Sequence, residues 1–303
     1  MIDDVASSTP PGRCLLTGAT GYLGSQIRRR LLADGWDVIE LTRREEPGSN
    51  TRWFRLGEPL DPADLAGCQA LVHCAYDFDQ IAWEDICAVN VRGSELLLQA
   101  ARQAGIRHVV LISTISAFDG CKSLYGKAKL EIERATRELG GWVIRPGLIY
   151  GDDPGGMVGR LVAQVRRARL LPIPGSGAQL MYLVHQDDIA AAVSRALTIA
   201  PPPDAPPVTV AHGQAFAFRD ILHELARALG RKVTLVPVPW RLMWLALRCA
   251  ELCRLKLPLR SDSLVSLVNQ NRAPLLNAHK MLGMVCRPFD PARASLIGTE
   301  HRP

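Results

Sequence analysis

"TGATGYLG", residues 17–24, sets glycines at 18, 21 and 24 between an apolar run, "RCLLTG", and a stretch with helical period that begins at Tyr22. Glycine triplets of this spacing occur by chance in many turns, so the flanks decide the reading. Over residues 22–33, Leu23, Ile27 and Leu31 fall on one helical stripe, and Gly35 ends it. A strand, a glycine turn and a helix in that order form a phosphate cradle. The glycines let the turn close, let backbone approach a pyrophosphate and let helix and strand pack, while the helix start offers N–H groups and a favourable dipole. Gly18, Thr20, Gly21, Tyr22, Leu23 and Gly24 are the cradle residues, and a dinucleotide is the ligand they suit.

Working outward, the first half alternates β-rich and helix-period segments. "WDVIELTR", "QALVHCA", "RHVVLIST" and "WVIRPGLIYG" read as strands. Residues 88–104 and "SLYGKAKLEIERATREL" read as helices, the second stopped by Gly140-Gly141. The strands are apolar throughout, as in a parallel sheet covered on both faces. The fold class is therefore α/β, a doubly wound parallel sheet of the Rossmann type. After Gly151, "DDPGG" and "LPIPGSG" read as loops around a basic helix, and "YLVHQDDIAAAVSRAL" as a strand and helix. "APPPDAPP" is a stiff loop before the strand "VTVAH", and from Phe216 onward the chain reads as mainly helical. The expected division is a lead-in over 1–12, a dinucleotide-binding domain over 13–150 and 181–212, and a smaller, mainly helical substrate domain over 151–180 and 213–303.

Bulk properties exclude several classes. The 303 residues are 48% hydrophobic and 22% charged, a folded globular composition. A net charge of +6, read as short scattered clusters such as Arg28-Arg29-Arg30, argues against nucleic-acid binding. Eight cysteines without a C-x-x-C pair read as free thiols in a reducing compartment, hence a cytoplasmic location and no metal site. "MIDDVASSTPPGR" is not a signal sequence. "WRLMWLALRCAELC", from Trp240, is too short and too charged to span a bilayer. It reads as a core helix of the second domain, with contact at a membrane surface or a lipidic substrate as the alternatives.

The end of the second strand bears on which dinucleotide binds. Arg43 and Arg44 stand at its tip and Glu40 further back, and arginine grips a 2′-phosphate where a carboxylate would repel it. NADP(H) is favoured over NAD(H). Leu56 and Gly57 are placed near the adenine, and backbone at Cys74 and Ala75 beside the cofactor.

In "LYGKAK" (124–129), Tyr125 and Lys129 project from one helix face, and an ammonium there favours the phenolate. The preceding strand ends in hydroxyls, Ser113 and Thr114, able to bind a substrate oxygen. Together these residues suit proton transfer coupled to hydride movement.

"TGATGYLG", "VHCA", "VNVRGSELLLQAA", "VVLIST", "YGKAK", "IRPGLIYG" and "LVHQDDIAAAV", in this order from residue 14 to about 195, resemble the extended short-chain dehydrogenase/reductase superfamily and its NAD(P)-dependent epimerase/dehydratase group. The resemblance implies that Tyr125 is the acid/base, that Lys129 orients the nicotinamide ribose, and that Thr114 binds the reacting oxygen, with Ser113 and Ser116 as alternatives. It places Pro146 and Arg145 near the nicotinamide, has Asn90 steady adjacent strands, and makes His185 and Asp188 structural. Dehydratases of this group carry adjacent carboxylates after the threonine; Ile115 and Ser116 stand there instead, against dehydration. The implied activity is oxidation, reduction or epimerisation at a carbinol or ketone carbon. The small-molecule substrate it implies most is a nucleotide-linked sugar, with Arg160, Arg166, Arg167 and Arg169 as candidate diphosphate partners. A lipidic or terpenoid ketone reduced with NADPH is the alternative, and a non-catalytic NADPH-binding regulatory protein is the reading of another class. A homodimer is left open.

Overall fold

The computed structural model describes residues 12–44, 50–152, 155–253, 255, 257 and 259–295. The expected lead-in lies outside these apart from Gly12, as do Glu45 and Glu46 beyond the arginine tip. By Cα proximity the chain forms two compact units: Met1–Leu111, Ala135–Trp142 and Val193–Ala205 in one, and Ile112–Arg134, Val143–Ala192 and Pro206–Pro303 in the other.

In the first unit, β1 (Arg13–Thr17) leads through the glycine turn into α1 (Tyr22–Ala33). β2 (Asp37–Thr42), β3 (Thr51–Trp53), β4 (Ala70–His73) and β5 (His108–Ile112) follow. β1 pairs in parallel with β2 and β4, with Leu15 opposite Ile39 on one side and Leu71 on the other. β3 and β5 extend the parallel pairing from β2 and β4. Cys14, Leu15 and Leu16 in succession are fully buried, which requires cover on both faces. One face packs Leu15, Ile39, Leu71 and Val109 against Leu97, Leu98 and Ala101. α1 packs on β1 and β2.

The helix expected over 88–104 starts earlier. α2 (Trp83–Ile86) passes through a wide π-helical turn, Cys87–Val91, into α3 (Arg92–Gln103). Ser94 Oγ donates to the Asn90 carbonyl, and the Asn90 amide is committed to a neighbouring loop; side-chain bonds of this kind accompany a locally widened helix.

The second unit holds most of α4 (Leu124–Glu138) and β6 (Trp142–Pro146), then β7 (Leu148–Tyr150), α5 (Gly156–Arg167), β8 (Leu170–Pro174) and β9 (Leu180–His185). α6 (Gln186–Ala196), β10 (Val208–Val210), β11 (Ala215–Ala217), α7 (Phe218–Ala228) and β12 (Thr234–Val238) follow. The chain closes with α8 (Trp240–Leu252), α9 (Ser261–Val268), α10 (Ala278–Leu282) and α11 (Pro291–Ser295). The main sheet has seven strands in the order β10-β6-β5-β4-β1-β2-β3, and two small sheets are ordered β11-β9-β7 and β12-β8. The core of this unit joins α5 and α7 to β7–β9, through residues such as Val162, Val165, Leu183, Ile221 and Leu225.

The structure departs from the sequence reading at three further places. "WVIRPGLIYG" is two strands, β6 and β7, which belong to different sheets and part at Gly147, where a Cβ would stand 2.3 Å from the Tyr182 carbonyl oxygen. "LPIPGSG" begins as strand, not loop. Arg169 O and Gly175 N bond to β12, so odd-numbered residues of β8 face that partner. Pro172 and Pro174 face away, where a missing N–H costs nothing. "VTLVPV", within the stretch read as mainly helical, is β12 for the same reason, with Pro237 turned outward.

Candidate active site

In the first unit, β1 ends at Thr17 and the chain turns at Gly18, whose φ of +71° is open to glycine at little cost. Gly21 N donates to Gly18 O at 3.0 Å, and α1 starts after Gly21 without a side-chain cap. A Cβ on Gly24 would stand 2.0 Å from Gly18 O, and one on Gly18 would stand 3.0 Å from Ala75 N. Backbone thus lies against backbone on both sides of the turn, leaving a cradle of the kind that fits a pyrophosphate.

A chain of hydrogen bonds fixes the loop beside it. Thr17 Oγ1 accepts from Cys74 N and Ala75 N, each at 3.0 Å, which uses both its lone pairs. Its hydroxyl hydrogen therefore goes to His73 Nδ1, 2.8 Å away. His73 is then the neutral tautomer with Nε2–H, donating to Ser94 Oγ at 2.8 Å, while Ser94 donates to Asn90 O. Asn90 closes the circuit, accepting from Asp77 N at 2.7 Å and donating to Asp77 O at 3.0 Å. Asn90 thus pins the loop after β4, a narrower task than steadying strands. Leu56 and Gly57 form the adjoining bend, which fits only because position 93 is glycine: a Cβ there would meet Gly57 N at 2.3 Å.

At the tip of β2 lies a cavity of about 880 Å³ whose lining includes Thr20, Arg28, Glu40, Arg43, Arg44 and Arg55. Glu40 is ion-paired with Arg28, so the carboxylate is already neutralised. Thr42 Oγ1 accepts the Arg44 N–H at 3.3 Å, turning the chain at the tip. Arg43 and Arg44 are exposed there.

In the second unit, Ser123 caps α4 through Gly126 N at 3.1 Å. The Asp262 carboxylate on α9 accepts both Leu124 N (2.7 Å) and Tyr125 N (3.0 Å), holding the turn that carries the half-buried Tyr125. Lys129, 2% exposed, donates from Nζ to the Ile112 carbonyl at 2.8 Å. A Cβ at Gly126 would lie 2.5 Å from Ser116 O, so the glycine of "YGKAK" is what lets the hydroxyl segment approach the helix. The three hydroxyls differ in their partners. Ser113 donates to Glu133 Oε1, and that carboxylate also holds Arg145 through Nε (2.8 Å) and Nη2 (2.6 Å). Ser116 Oγ accepts from Ser266 Oγ at 2.8 Å. Thr114 is half-buried and accepts the Ser116 N–H at 3.2 Å; among the described residues no acceptor is found for its own hydroxyl hydrogen. Pro146 is buried at the end of β6, its carbonyl accepting Ile115 N at 2.9 Å.

Asp188 accepts Arg287 N (2.9 Å) and Nε (2.8 Å), and His185 is buried edge-on to Tyr150 at 5.1 Å. Burial holds the His185 imidazole below its ordinary pKa, against the opposing pull of Asp187. Both residues brace the second unit. On α5 and just after it, Arg160, Arg167 and Arg169 are exposed.

Several contributors were not singled out in the sequence. Thr17, the first letter of the opening motif, was open to reading as a hydroxyl at a strand end. The His73 side chain, Ser94, Glu133 and Asp262 carry no local signal, because the pairs Thr17–His73, His73–Ser94, Ser113–Glu133 and Leu124–Asp262 join residues 20 to 138 positions apart.

The profile of a family described as "NAD dependent epimerase/dehydratase family" matches residues 14–206. Ceramide reductase of Caulobacter vibrioides is 28% identical over 238 residues, covering 75% of this chain and 74% of that protein. dTDP-4-dehydro-6-deoxy-D-allose reductase of Streptomyces bikiniensis is 24% identical over 291 residues, covering 80% and 88%. The solved structure of MoeE5 in complex with UDP-glucose and NAD superposes with a TM-score of 0.72 at 21% identity, covering 94% of this chain and 96% of that one; at this identity the likeness is one of fold.

Proposed function

The chain is an enzyme of the NAD dependent epimerase/dehydratase family, and we propose that it is an NADPH-dependent reductase of a ketone carbon with Tyr125 as the proton donor. The observation that carries this reading lies within the second unit. Lys129 is buried and anchored one turn from Tyr125 on α4, while Thr114, with its hydroxyl hydrogen uncommitted among the described residues, stands just beyond the strand that anchors the lysine. When bound, a nicotinamide dinucleotide supplies or accepts hydride at the substrate carbon. Gly18, Thr20, Gly21, Tyr22, Leu23 and Gly24 would hold its pyrophosphate, and backbone at Cys74 and Ala75 and the bend at Leu56 would flank it. Arg43 would grip the 2′-phosphate, supported by the arginine-lined cavity in which Glu40 is neutralised by Arg28. Lys129 would orient the ribose and favour the phenolate, Pro146 would border the nicotinamide, and Thr114 would donate to the substrate oxygen. Tyr125 then delivers its proton to that oxygen.

Reduction is favoured over dehydration because Ile115 and Ser116 offer no carboxylate after Thr114. Two substrate classes have support. The ceramide reductase likeness speaks for a lipid-bearing ketone, and the dTDP-sugar reductase likeness, longer in coverage, for a nucleotide-linked sugar. Incubation with deuterium-labelled NADPH and a panel holding both classes tests the proposal. Deuterium in the product carbinol with matching NADP⁺ formation is the expected result. An epimerised product without label or net oxidation would overturn it in favour of a redox-neutral epimerase.

A further inference from the structure

α8 carries Trp240, Leu242, Met243, Trp244, Leu245, Leu247 and Leu252, yet none of its side chains is buried. Met243 and Leu247 lie partly against the core, which accounts for one face. Leu242, Leu245, Cys249 and Leu252 recur at i, i+3, i+7 and i+10 on another face. The three leucines are 60%, 53% and 72% exposed, and the exposed run continues through Leu255 and Leu257. A contiguous apolar patch of this kind marks an interaction surface.

The charge around it identifies what it meets. Residues 231–260 hold seven Lys and Arg against one acidic residue, an excess equal to the whole chain's net charge of +6; the rest of the chain is balanced. Arg241 and Arg248, seven residues apart, border the leucine stripe on the same side. The one acidic residue, Glu251, is engaged within the unit by Ser261 N, Ser261 Oγ and Arg248. An exposed leucine stripe edged by arginines has the make-up of a helix lying in a lipid–water interface, with guanidinium groups reaching the headgroups along their apolar stems. A second copy of the chain would bring two such positive segments together, which disfavours self-association through this face.

We propose that α8, with the leucines that follow it, docks the protein on an anionic lipid bilayer surface without crossing it. No helix among the described residues is long and apolar enough to cross a membrane. The inference stands apart from the reductase reading, because neither its observations nor its test involve turnover.

Co-sedimentation of the full chain with phosphatidylcholine vesicles, alone or with roughly a third phosphatidylglycerol, tests it. The expected result is binding to the anionic vesicles that falls when salt is raised from about 0.1 M to about 0.5 M. A protein carrying both Leu242→Ser and Leu245→Ser should lose roughly tenfold or more in partitioning with its melting temperature preserved, since both leucines are exposed. Arg241→Glu, which leaves the leucines in place, should also weaken binding to the anionic vesicles. Failure to bind either vesicle would overturn the proposal. So would equal, salt-independent binding to both, or binding that survives the leucine and arginine changes. A leucine-dependent dimer without vesicle binding would assign the face to a second copy instead.

Discussion

At the residue scale, the cofactor preference rests on a few charges at the tip of β2. Among the described residues Glu40 is the carboxylate that lines the cavity, and its pairing with Arg28 removes its objection to a phosphate while Arg43 and Arg44 remain exposed there. A charge-assisted contact to a phosphate is worth about 1.5–3 kcal/mol, so Arg43→Ala should weaken NADPH binding by roughly 10- to 100-fold. NADH binding should stay nearly unchanged, and fluorescence titration of the two cofactors checks both halves; equal loss for both would remove Arg43 from the phosphate site. The arginines were legible in the sequence, whereas the Arg28–Glu40 pair that gives them effect was not. It joins a helix to a strand, and no periodicity announces such a pair. The hydroxyls after β5 follow the same pattern. Their presence in "LIST" and "STIS" was plain, but what separates them is Glu133 and Ser266, residues 20 and 150 positions distant from their serine partners.

At the element scale, the glycines had the clearest meaning. Gly18, Gly21 and Gly24 were read together as letting the turn close and helix and strand pack, and a Cβ at Gly24 would overlap the Gly18 carbonyl oxygen at 2.0 Å. Since the obstacle is backbone, Gly24→Ala must displace the cradle. It should cost about 1–3 kcal/mol of stability as overpacking and sharply weaken NADPH binding. Thermal melts with and without NADPH check this, and wild-type values in both would show that the turn is not the cradle described. The alternating strands and helices of the first half were recovered because fully buried parallel strands and striped helices leave strong patterns. β8 and β12 were missed because proline normally argues against a strand. Only the pairing shows that Pro172, Pro174 and Pro237 all face away from the partner.

At the scale of the whole molecule, fold class and family were legible because their signals are local and ordered along the chain. The character of the second unit was less so. α8 was read as a core helix because its composition is apolar, yet composition does not say which face a helix turns outward, and here the leucines face solvent. Charge was likewise read as short scattered clusters, and the sum over residues 231–260, seven Lys and Arg against one acidic residue, was not taken. A patch assembled from dispersed positions is visible only against the rest of the surface.

Turnover by Tyr125→Phe bears most directly on the assignment. The substitution deletes one hydroxyl from a half-buried ring and leaves the Asp262 clamp on the Tyr125 backbone untouched. Single-turnover NADPH oxidation with a ketone substrate, and the NADPH Kd of the same protein, should be measured side by side. The expected result is a loss of roughly 10²- to 10⁴-fold in the rate of reduction with the Kd unchanged. A Tyr125→Phe protein that reduces the substrate at the wild-type rate would contradict Tyr125 as the proton donor.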